Sequence, residues 1–337
     1  MKKLLSSLAF AATTLIASAS MLLAEEKGLD DATRAPYYDA IKGKKVVFVP
    51  LAMGFDLTEG WAAAMRKQAN EFGYTFDIRD PNWSTDAGTR AITAAIQEKP
   101  DVLVVQNPDI QSYARLLKRA EEAGIKTIQI NMNSVYTTDA FIGVDQVKLG
   151  EVQAQALVDH CGAGKGPSTK VALLQGVPNG AANLYMMRGI YSVLSQHPEI
   201  QVVSEQAANY DPSKARAIME TVLQQHPDIC GVWGVWDSQD VGTAAAIAEA
   251  KKTGKVFLVT SGGGNEAACE NVKKGLFDLY VTYDTSVQGM ELNQKIAEFL
   301  QTQTAAGAVK TTYFTPLRMI TKSNVNVRNC WSLTDMQ

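Results

Sequence analysis

The sequence contains little of the chemistry that enzymes require. Only three histidines occur among its 337 residues, and it has no phosphate-binding loop, HExxH zinc helix or EF-hand loop. The segment TSGGG at 260–264 lacks the glycine two positions before Ser261 that a nucleophile elbow requires. These absences argue against an enzyme and favour a binding protein.

The histidines are scattered along the sequence, and acidic residues outnumber basic ones. His160, His197 and His226 are scattered at the ends of predicted helices, so we expect no metal site and no other cofactor. The formal net charge of −3 offers no excess of basic residues for a polyanion. Nucleic acid is therefore not an expected partner.

The longest apolar run lies at the N-terminus, after Lys2 and Lys3. Serines and threonines interrupt the run, which makes it a poor membrane span and favours a secretory signal over an uncleaved anchor. Cleavage fits after Ala19 or Ala24, and we favour Ala24. The prediction is a signal peptide at 1–24, export to the periplasm and a mature net charge of −5, because two lysines leave with the signal.

Four cysteines remain after this cleavage, and none of them forms a CxxC pair. An even number in an exported protein predicts two disulfides, with three possible pairings, although four buried thiols are the alternative. The cysteines are Cys161, Cys230, Cys269 and Cys330.

After a polar leader at 25–43, predicted strands and helices alternate along the chain. This alternation predicts parallel sheets covered by helices on both faces, and the number of units predicts two consecutive doubly wound domains. A single (β/α)8 barrel is the alternative. Strands are predicted at 45–52, 74–80, 101–107, 126–131, 140–145, 170–176, 200–206, 231–237, 255–262 and 279–284. Helices are predicted at 56–72, 84–98, 109–123, 180–196, 212–225, 238–252, 265–274 and 285–304.

Aromatic and polar side chains follow the strands at the edge where open α/β sheets bind ligands. Four strand ends place an aromatic next to a carboxylate or amide: Phe55–Asp56, Asn82–Trp83, Tyr210–Asp211 and Trp236–Asp237. Aromatic faces suit the C–H face of a sugar, and carboxylates and amides suit its hydroxyls. The other candidate ligand-binding residues are Asn107, Asn131, Asn133, Asp145, Asn183 and Tyr283. The absence of Arg and Lys at these ends argues against an anionic ligand.

Some of these residues have a purely structural interpretation. Asp56 opens a D-x-x-E pattern, which is typical of a helix cap. Asp211 precedes a proline and is expected to cap a helix, and Asp237 is a candidate cap for the helix from 238. Trp61 and Trp233 are expected to pack in the core.

The order of several segments resembles that of the ribose-type periplasmic sugar-binding proteins of ABC transporters, which have the type I solute-binding fold. The resemblance covers residues 45 to about 322 and is carried by segments such as QEKPDVLVVQNPD, IGVDQVKLGEVQAQAL and NYDPSKARAIMETVLQQHPDICGVW. It implies two Rossmann-like lobes joined by three crossovers, near Asp145, Tyr283–Asp284 and Thr315–Pro316. The implied lobes are 44–145 plus 284–315 and 146–283 plus 316–337.

The resemblance also implies roles for single residues. Asn107 matches a ligand-binding asparagine, and Asp145 matches a hinge aspartate. Asn131 stands where the family carries an aspartate, and Tyr210 where it carries a stacking phenylalanine. The resemblance further implies a disulfide pairing of Cys161 with Cys230 and of Cys269 with Cys330, with the tail returning to the second lobe.

Departures from the family pattern bear on the ligand. Met132 and Met186 stand near the positions of two arginines, Gly262 stands where an aspartate is expected, and Tyr283 replaces a glutamine. Losing both arginines removes the donors that grip ring hydroxyls. We therefore expect a pentose, a deoxy-sugar or a small polyol rather than ribose.

The resemblance implies a monomeric, non-enzymatic receptor of an ABC importer. It would bind a neutral monosaccharide or small polyol by hinge closure and dock on a permease in the inner membrane. A signalling receptor of the same fold, which presents a small polar ligand to a sensor or chemoreceptor, is the alternative. An exported hydrolase lacks its nucleophile, and the signal sequence argues against a transcription factor.

Overall fold

The computed structural model describes residues 32–326 and 330–336. The signal peptide predicted at 1–24 lies outside the described residues. The chain divides into two units, Met1–Asp39 and Ala40–Gln337, and both sheets lie in the second unit. Within the predicted leader, a helix that was not predicted, α1, spans Arg34–Ile41.

The first lobe contains a six-stranded sheet in which every pair of neighbours is parallel. Its strands are β1 (Lys45–Val49), β2 (Thr75–Ile78), β3 (Val102–Val105), β4 (Lys126–Ile130), β5 (Ala140–Gly143) and β11 (Thr311–Phe314), in the spatial order β11-β5-β4-β3-β1-β2. Its helices are α2 (Asp56–Phe72), α3 (Thr85–Glu98), α4 (Ala114–Glu122) and α10 (Thr285–Gln301).

The second lobe repeats this arrangement with one antiparallel edge strand. Its strands are β6 (Lys170–Gln175), β7 (Gln201–Ala207), β8 (Gly231–Gly234), β9 (Phe257–Gly262), β10 (Leu279–Thr282) and β12 (Arg318–Ile320), in the spatial order β12-β10-β9-β8-β6-β7. Its helices are α5 (Gln146–Cys161), α6 (Ala181–Leu194), α7 (Pro212–Gln225), α8 (Asp237–Glu249) and α9 (Glu266–Lys273), and a short helix α11 (Leu333–Met336) ends the described chain.

The chain passes between the two sheets three times, after β5, after β10 and between β11 and β12. The two-lobe fold with a three-segment hinge is therefore confirmed. The barrel alternative is wrong, because the strands form two separate open sheets.

Several predicted boundaries were wrong for local reasons. β1 ends at Val49 rather than at 52, because Pro50 has no N–H to continue the strand pairing. The helix predicted at 109–123 begins only at Ala114, because the carboxylate of Asp109 accepts hydrogen bonds from the backbone N–H groups of Gln111 and Ser112, at 2.7 and 2.8 Å, and holds a turn. The short edge strands β11 and β12 were not predicted, since most of their residues are not buried.

The two disulfides join Cys161 to Cys230 and Cys269 to Cys330, which are the pairs that the resemblance implies. The first links the end of α5 to the start of β8, and the second holds the tail on α9. No free cysteine occurs in the described part of the chain.

The predicted packing of two tryptophans is confirmed. Trp61 is fully buried, and its indole N–H donates to Oε1 of Gln288 on α10 at 3.1 Å. Trp233 is fully buried, and its indole N–H donates to Oε1 of Gln153 on α5 at 2.9 Å. A helix long and apolar enough to cross a membrane is absent from the described residues.

Candidate ligand-binding cleft

A cavity lies between the two lobes, beyond the carboxyl ends of their strands, with about 470 Å³ of space not filled by protein atoms. Its wall is dominated by five aromatic residues: Phe55, Trp83, Tyr210, Trp236 and Tyr283. The sequence predicted all five as ligand-binding residues.

Four of these rings form a chain of contacts that crosses from one lobe to the other. Phe55 stacks on Trp83 of its own lobe, with ring centroids 5.5 Å apart. It also meets the ring of Trp236 from the second lobe at 5.4 Å, in an edge geometry. Trp236 in turn contacts Tyr210 at 5.9 Å. The rings therefore bring both lobes together at the cavity.

Two of the aromatics lie on turns with a costly backbone conformation. Asn82 and Trp83 have φ angles of 48° and 65°, and Asn209 and Tyr210 have 57° and 63°. Positive φ is uncommon for residues other than glycine, and for a bulky residue it marks a conformation held by its surroundings. The Trp83 N–H donates to the carbonyl of Leu51 at 2.8 Å, in the loop after β1, which helps to hold the first of these turns.

Glycines make room for the ring of Tyr210. A Cβ atom on Gly176 would lie 2.1 Å from the ring, and one on Gly180 would lie 3.3 Å from its hydroxyl. The Tyr210 N–H donates to Oε1 of Gln239 at 2.8 Å. Burial raises the pKa of the Tyr210 hydroxyl, so this group is neutral at ordinary pH.

Three amide oxygens on residues that line the cavity or adjoin its lining are buried without a partner in the described structure. Both N–H bonds of the Asn107 amide point to acceptors, Oε1 of Gln129 at 2.9 Å and the Met132 carbonyl at 2.8 Å, which leaves its Oδ1 unpaired. Gln146 donates to the Asn131 carbonyl at 3.4 Å, and its Oε1 is unpaired. Oδ1 of Asn131 is also unpaired. Unpaired buried acceptors are costly unless a ligand donates to them.

Gln106 and Gln146 line the cavity but were not selected from the sequence. Gln106 accepts a hydrogen bond from the Leu51 N–H at 3.2 Å. Each lies beside a residue that was selected, Gln106 before Asn107 and Gln146 after Asp145. Their position close after a strand was the feature of the sequence that could have predicted their place in the cavity.

Six predicted ligand-binding residues are not part of the lining of this cavity: Asp56, Asn107, Asn133, Asp145, Asn183 and Asp237. Asn183 holds the loop after β6, because its Oδ1 accepts from the Gly176 N–H at 3.0 Å. Asp145 caps α5 by accepting from the Lys148 N–H at 3.0 Å. Asn133 lines a separate groove, together with Asp145.

The predicted capping role of Asp56 is wrong. Phe55 holds the N-cap position of α2, its side chain makes no cap hydrogen bond, and Asp56 is the first helical residue. Instead, Glu59 reaches back, and its Oε1 accepts from the Gly54 N–H at 3.0 Å. Burial and the charge of Glu59 raise the pKa of Asp56. Asp211, by contrast, caps α7 as predicted.

Asp237 is buried directly behind the cavity wall. Its Oδ2 accepts a hydrogen bond from the Tyr280 hydroxyl at 2.6 Å, and its Oδ1 accepts one from the Ser238 N–H at 2.6 Å. The prediction that Asp237 caps α8 is wrong, because Trp236 holds the N-cap position. Burial raises the pKa of Asp237 to about 6. A Cβ on Gly262 would lie 2.1 Å from Oδ2 of Asp237, so the glycine leaves room for this carboxylate.

Two methionines line the cavity near the positions where the resemblance places arginines. They are Met132 and Met186, and the residues described along the cavity include no arginine or lysine. The wall is therefore uncharged, with aromatic faces and amide groups as its main features.

Comparison with known proteins identifies the family. The model of the periplasmic binding protein domain matches residues 46–304. The chain belongs to the periplasmic binding protein family. Among the relatives of this binding protein, the ribose import binding protein of Bacillus subtilis is 29% identical over 210 residues, which are 62% of this chain and 66% of the relative. The D-allose-binding periplasmic protein of Escherichia coli is 33% identical over 38% of this chain and 40% of its own length.

The xylitol-binding protein of Mycolicibacterium smegmatis is 28% identical over 77% of this chain and 72% of its own. The alignments to the first two relatives span less than two thirds of their lengths. A solute-binding protein of Agrobacterium vitis, solved with α-D-tagatopyranose, has a TM-score of 0.75 at 21% identity and covers 86% of this chain and 99% of its own. Another, from Burkholderia graminis with D-arabinose, has a TM-score of 0.75 at 19% identity, covering 85% and 98%. Both show that the fold is shared.

Proposed function

We propose that this protein is the solute-binding component of an ABC importer and holds a neutral monosaccharide or small polyol between its lobes. The observation that carries the proposal is the pairing of two features in one cavity. Aromatic rings from both lobes form the wall, and buried amide oxygens without partners lie beside it. Rings take the C–H face of a sugar, while amide oxygens accept from its hydroxyls.

The relatives support the importer. The proteins from B. subtilis and M. smegmatis are named for ribose import and for xylitol binding, and several structural neighbours were solved with monosaccharides. These roles are those of binding proteins rather than enzymes. They favour uptake over the signalling receptor.

The uncharged wall supports a pentose, a deoxy-sugar or a small polyol. Met132 and Met186 have no hydrogen-bond donors for the hydroxyls of a sugar. A ligand with few hydroxyls or with an apolar edge leaves fewer of its polar groups unpaired in such a site. Phe55, Trp83, Tyr210, Trp236 and Tyr283 are the proposed stacking residues, and Asn107, Asn131 and Gln146 the proposed acceptors.

The predicted signal sequence and the family support a proposal for the location and the partner of the protein. We propose that the mature chain works in the periplasm as a monomer and passes its ligand to a permease in the inner membrane. Hinge closure about the three crossovers would present both lobes to that permease.

A thermal-shift screen tests the function. The panel contains pentoses, pentitols, deoxyhexoses, hexoses and, as a control class, amino acids. Ligand that binds the folded state raises the melting temperature by mass action. We expect the largest shifts from pentoses, pentitols or deoxyhexoses. Shifts produced by amino acids alone would contradict the proposal.

A further inference from the structure

The last described residues, 330–336, contact both lobes. Cys330 is bonded to Cys269 on α9 of the second lobe. The next residue is fixed to the same lobe by its backbone, since the Trp331 N–H donates to the Gly264 carbonyl at 3.0 Å and the Trp331 carbonyl accepts from the Glu266 N–H at 2.9 Å. The anchor of the tail is therefore covalent and is reinforced by the backbone.

The indole of Trp331 lies between the lobes. Its N–H donates at 2.6 Å to the carbonyl of Gly263, and the same carbonyl accepts from the N–H of Thr285, the first residue of α10, at 2.8 Å. On the other side the ring covers Gly60 of α2, where a Cβ atom would lie 2.9 Å from Cη2 of the indole and 2.7 Å from Cγ2 of Thr285. Trp331 keeps only 7% of its surface exposed.

The last described residues continue onto the first lobe. Helix α11 packs against α2. The terminal methyl of Met336 lies 3.4 Å from where a Cβ atom on Gly289 of α10 would be. Because α2 and α10 belong to the first lobe and α9 to the second, residues 330–336 form a fourth connection beside the three crossovers of the hinge.

We propose that Cys330–Met336 is a strap that shifts the equilibrium between open and closed lobes towards the closed arrangement. The lobes are in contact across the cleft, as the Phe55–Trp236 ring pair and the 3.4 Å hydrogen bond from the Ile110 N–H to the Asn179 carbonyl demonstrate. We expect separation of the lobes to move α2 away from the loop at Gly263 and to uncover the indole. Burial of the indole therefore favours closure and raises the affinity of any ligand that binds the closed form.

Small-angle X-ray scattering of the full chain without added ligand tests the strap, so the result does not depend on which ligand the cleft takes. Trp331→Ala removes the seated ring, and Gly60→Ala introduces a methyl group that would lie 2.9 Å from the indole and 2.7 Å from Cγ2 of Thr285. Both variants are expected to have a larger radius of gyration than the wild type. Val309→Ala, at an exposed first-lobe position outside the strap, is the control and should match the wild type.

Two further variants keep the test decisive if Trp331→Ala does not fold. Cys269→Ser with Cys330→Ser releases the anchor while leaving the indole, and is expected to expand the protein less than Gly60→Ala. Trp331→Phe keeps a ring on Gly60 and should stay close to the wild type. Radii of gyration for Gly60→Ala and the double cysteine variant that equal the wild-type value, with melting transitions intact, would overturn the proposal.

Discussion

The two lobes carry the same turn in different surroundings. Asn82–Trp83 follows β2 and Asn209–Tyr210 follows β7, and these two strands hold equivalent edge positions in their sheets. All four residues have positive φ angles. Trp83 nevertheless keeps 50% of its surface exposed and stacks on Phe55 of its own lobe, whereas the Tyr210 hydroxyl is enclosed and its ring fits against two glycines.

The comparison separates two contributions to binding. A ring fixed by packing loses little freedom when it contacts a ligand, whereas an exposed ring loses more of its freedom. The second-lobe turn therefore supplies a preformed part of the cavity wall, through Tyr210. The first-lobe turn supplies a half-exposed part of that wall, through Trp83.

Tyr210→Ala is expected to weaken binding of the best ligand from the screen by roughly 30-fold or more, because it removes a packed aromatic contact worth about 2 kcal/mol. Isothermal titration calorimetry measures the loss. Tyr191→Ala, at an exposed tyrosine on α6 outside the cavity, is the control and should bind like the wild type. Equal affinities for the two variants would show that Tyr210 takes no part in binding the ligand.

Phe55→Ala is expected to weaken binding about tenfold, or about 1.4 kcal/mol, since Phe55 contacts an aromatic ring on each lobe. The same calorimetry measures it. A variant that binds as tightly as the wild type would show that the turn after β1 takes no part in binding.

Trp83→Ala is expected to weaken binding only a few-fold, by less than about 1 kcal/mol, because the ring is half exposed. Trp83→Gly is the matched variant, and it should be more stable to unfolding than Trp83→Ala by about 1 kcal/mol, since glycine adopts positive φ without strain. Urea denaturation measures the difference. A loss of affinity in Trp83→Ala as large as that in Tyr210→Ala would contradict the view that the packed ring contributes more to binding than the half-exposed one.

The stability of the folded protein is also expected to depend on pH, because two buried aspartates lie in the second lobe. Burial raises the pKa of Asp240 to about 7 and that of Asp237 to about 6, so the folded state takes up protons between about pH 4 and 7 that the unfolded state does not. This stability is present at low pH and is lost as the pH rises through 6 to 7. The melting temperature at pH 8 should therefore lie a few degrees below that at pH 5.

Asp240→Asn is the variant that isolates this effect. The Asp240 carboxylate accepts hydrogen bonds from the Thr243 and Thr260 hydroxyls, at 3.0 and 2.5 Å, and an amide retains one acceptor for them. Differential scanning calorimetry at several pH values should show a flatter dependence for the variant. An unchanged slope would assign the pH dependence to other groups.

The sequence was sufficient to predict the repeating fold. Helices α2 and α7 begin and end where the periodicity of their apolar residues predicts. Strand ends were less accurate, because Pro50 and the turn at Asp109 end the regular pattern through local bonding that periodicity does not record. The exposed strands β11 and β12 lack an apolar run and were missed.

The site was predicted through its aromatics more fully than through its amides. Every aromatic wall residue stands at a strand end, where sequence position alone predicts proximity to the cleft. The role of an amide depends instead on where its other bonds go. Asn183 bonds to its own loop, while Gln146 is left with an unpaired oxygen, and only the folded structure distinguishes these cases.

A ligand held between the two lobes should draw them together when it binds. Small-angle X-ray scattering compares the wild type with and without a saturating concentration of the sugar or polyol that gives the largest thermal shift. We expect a smaller radius of gyration with the ligand, and a smaller decrease for Tyr210→Ala at the same concentration. A ligand that raises the melting temperature but leaves the radius of gyration of the wild type unchanged would contradict this expectation.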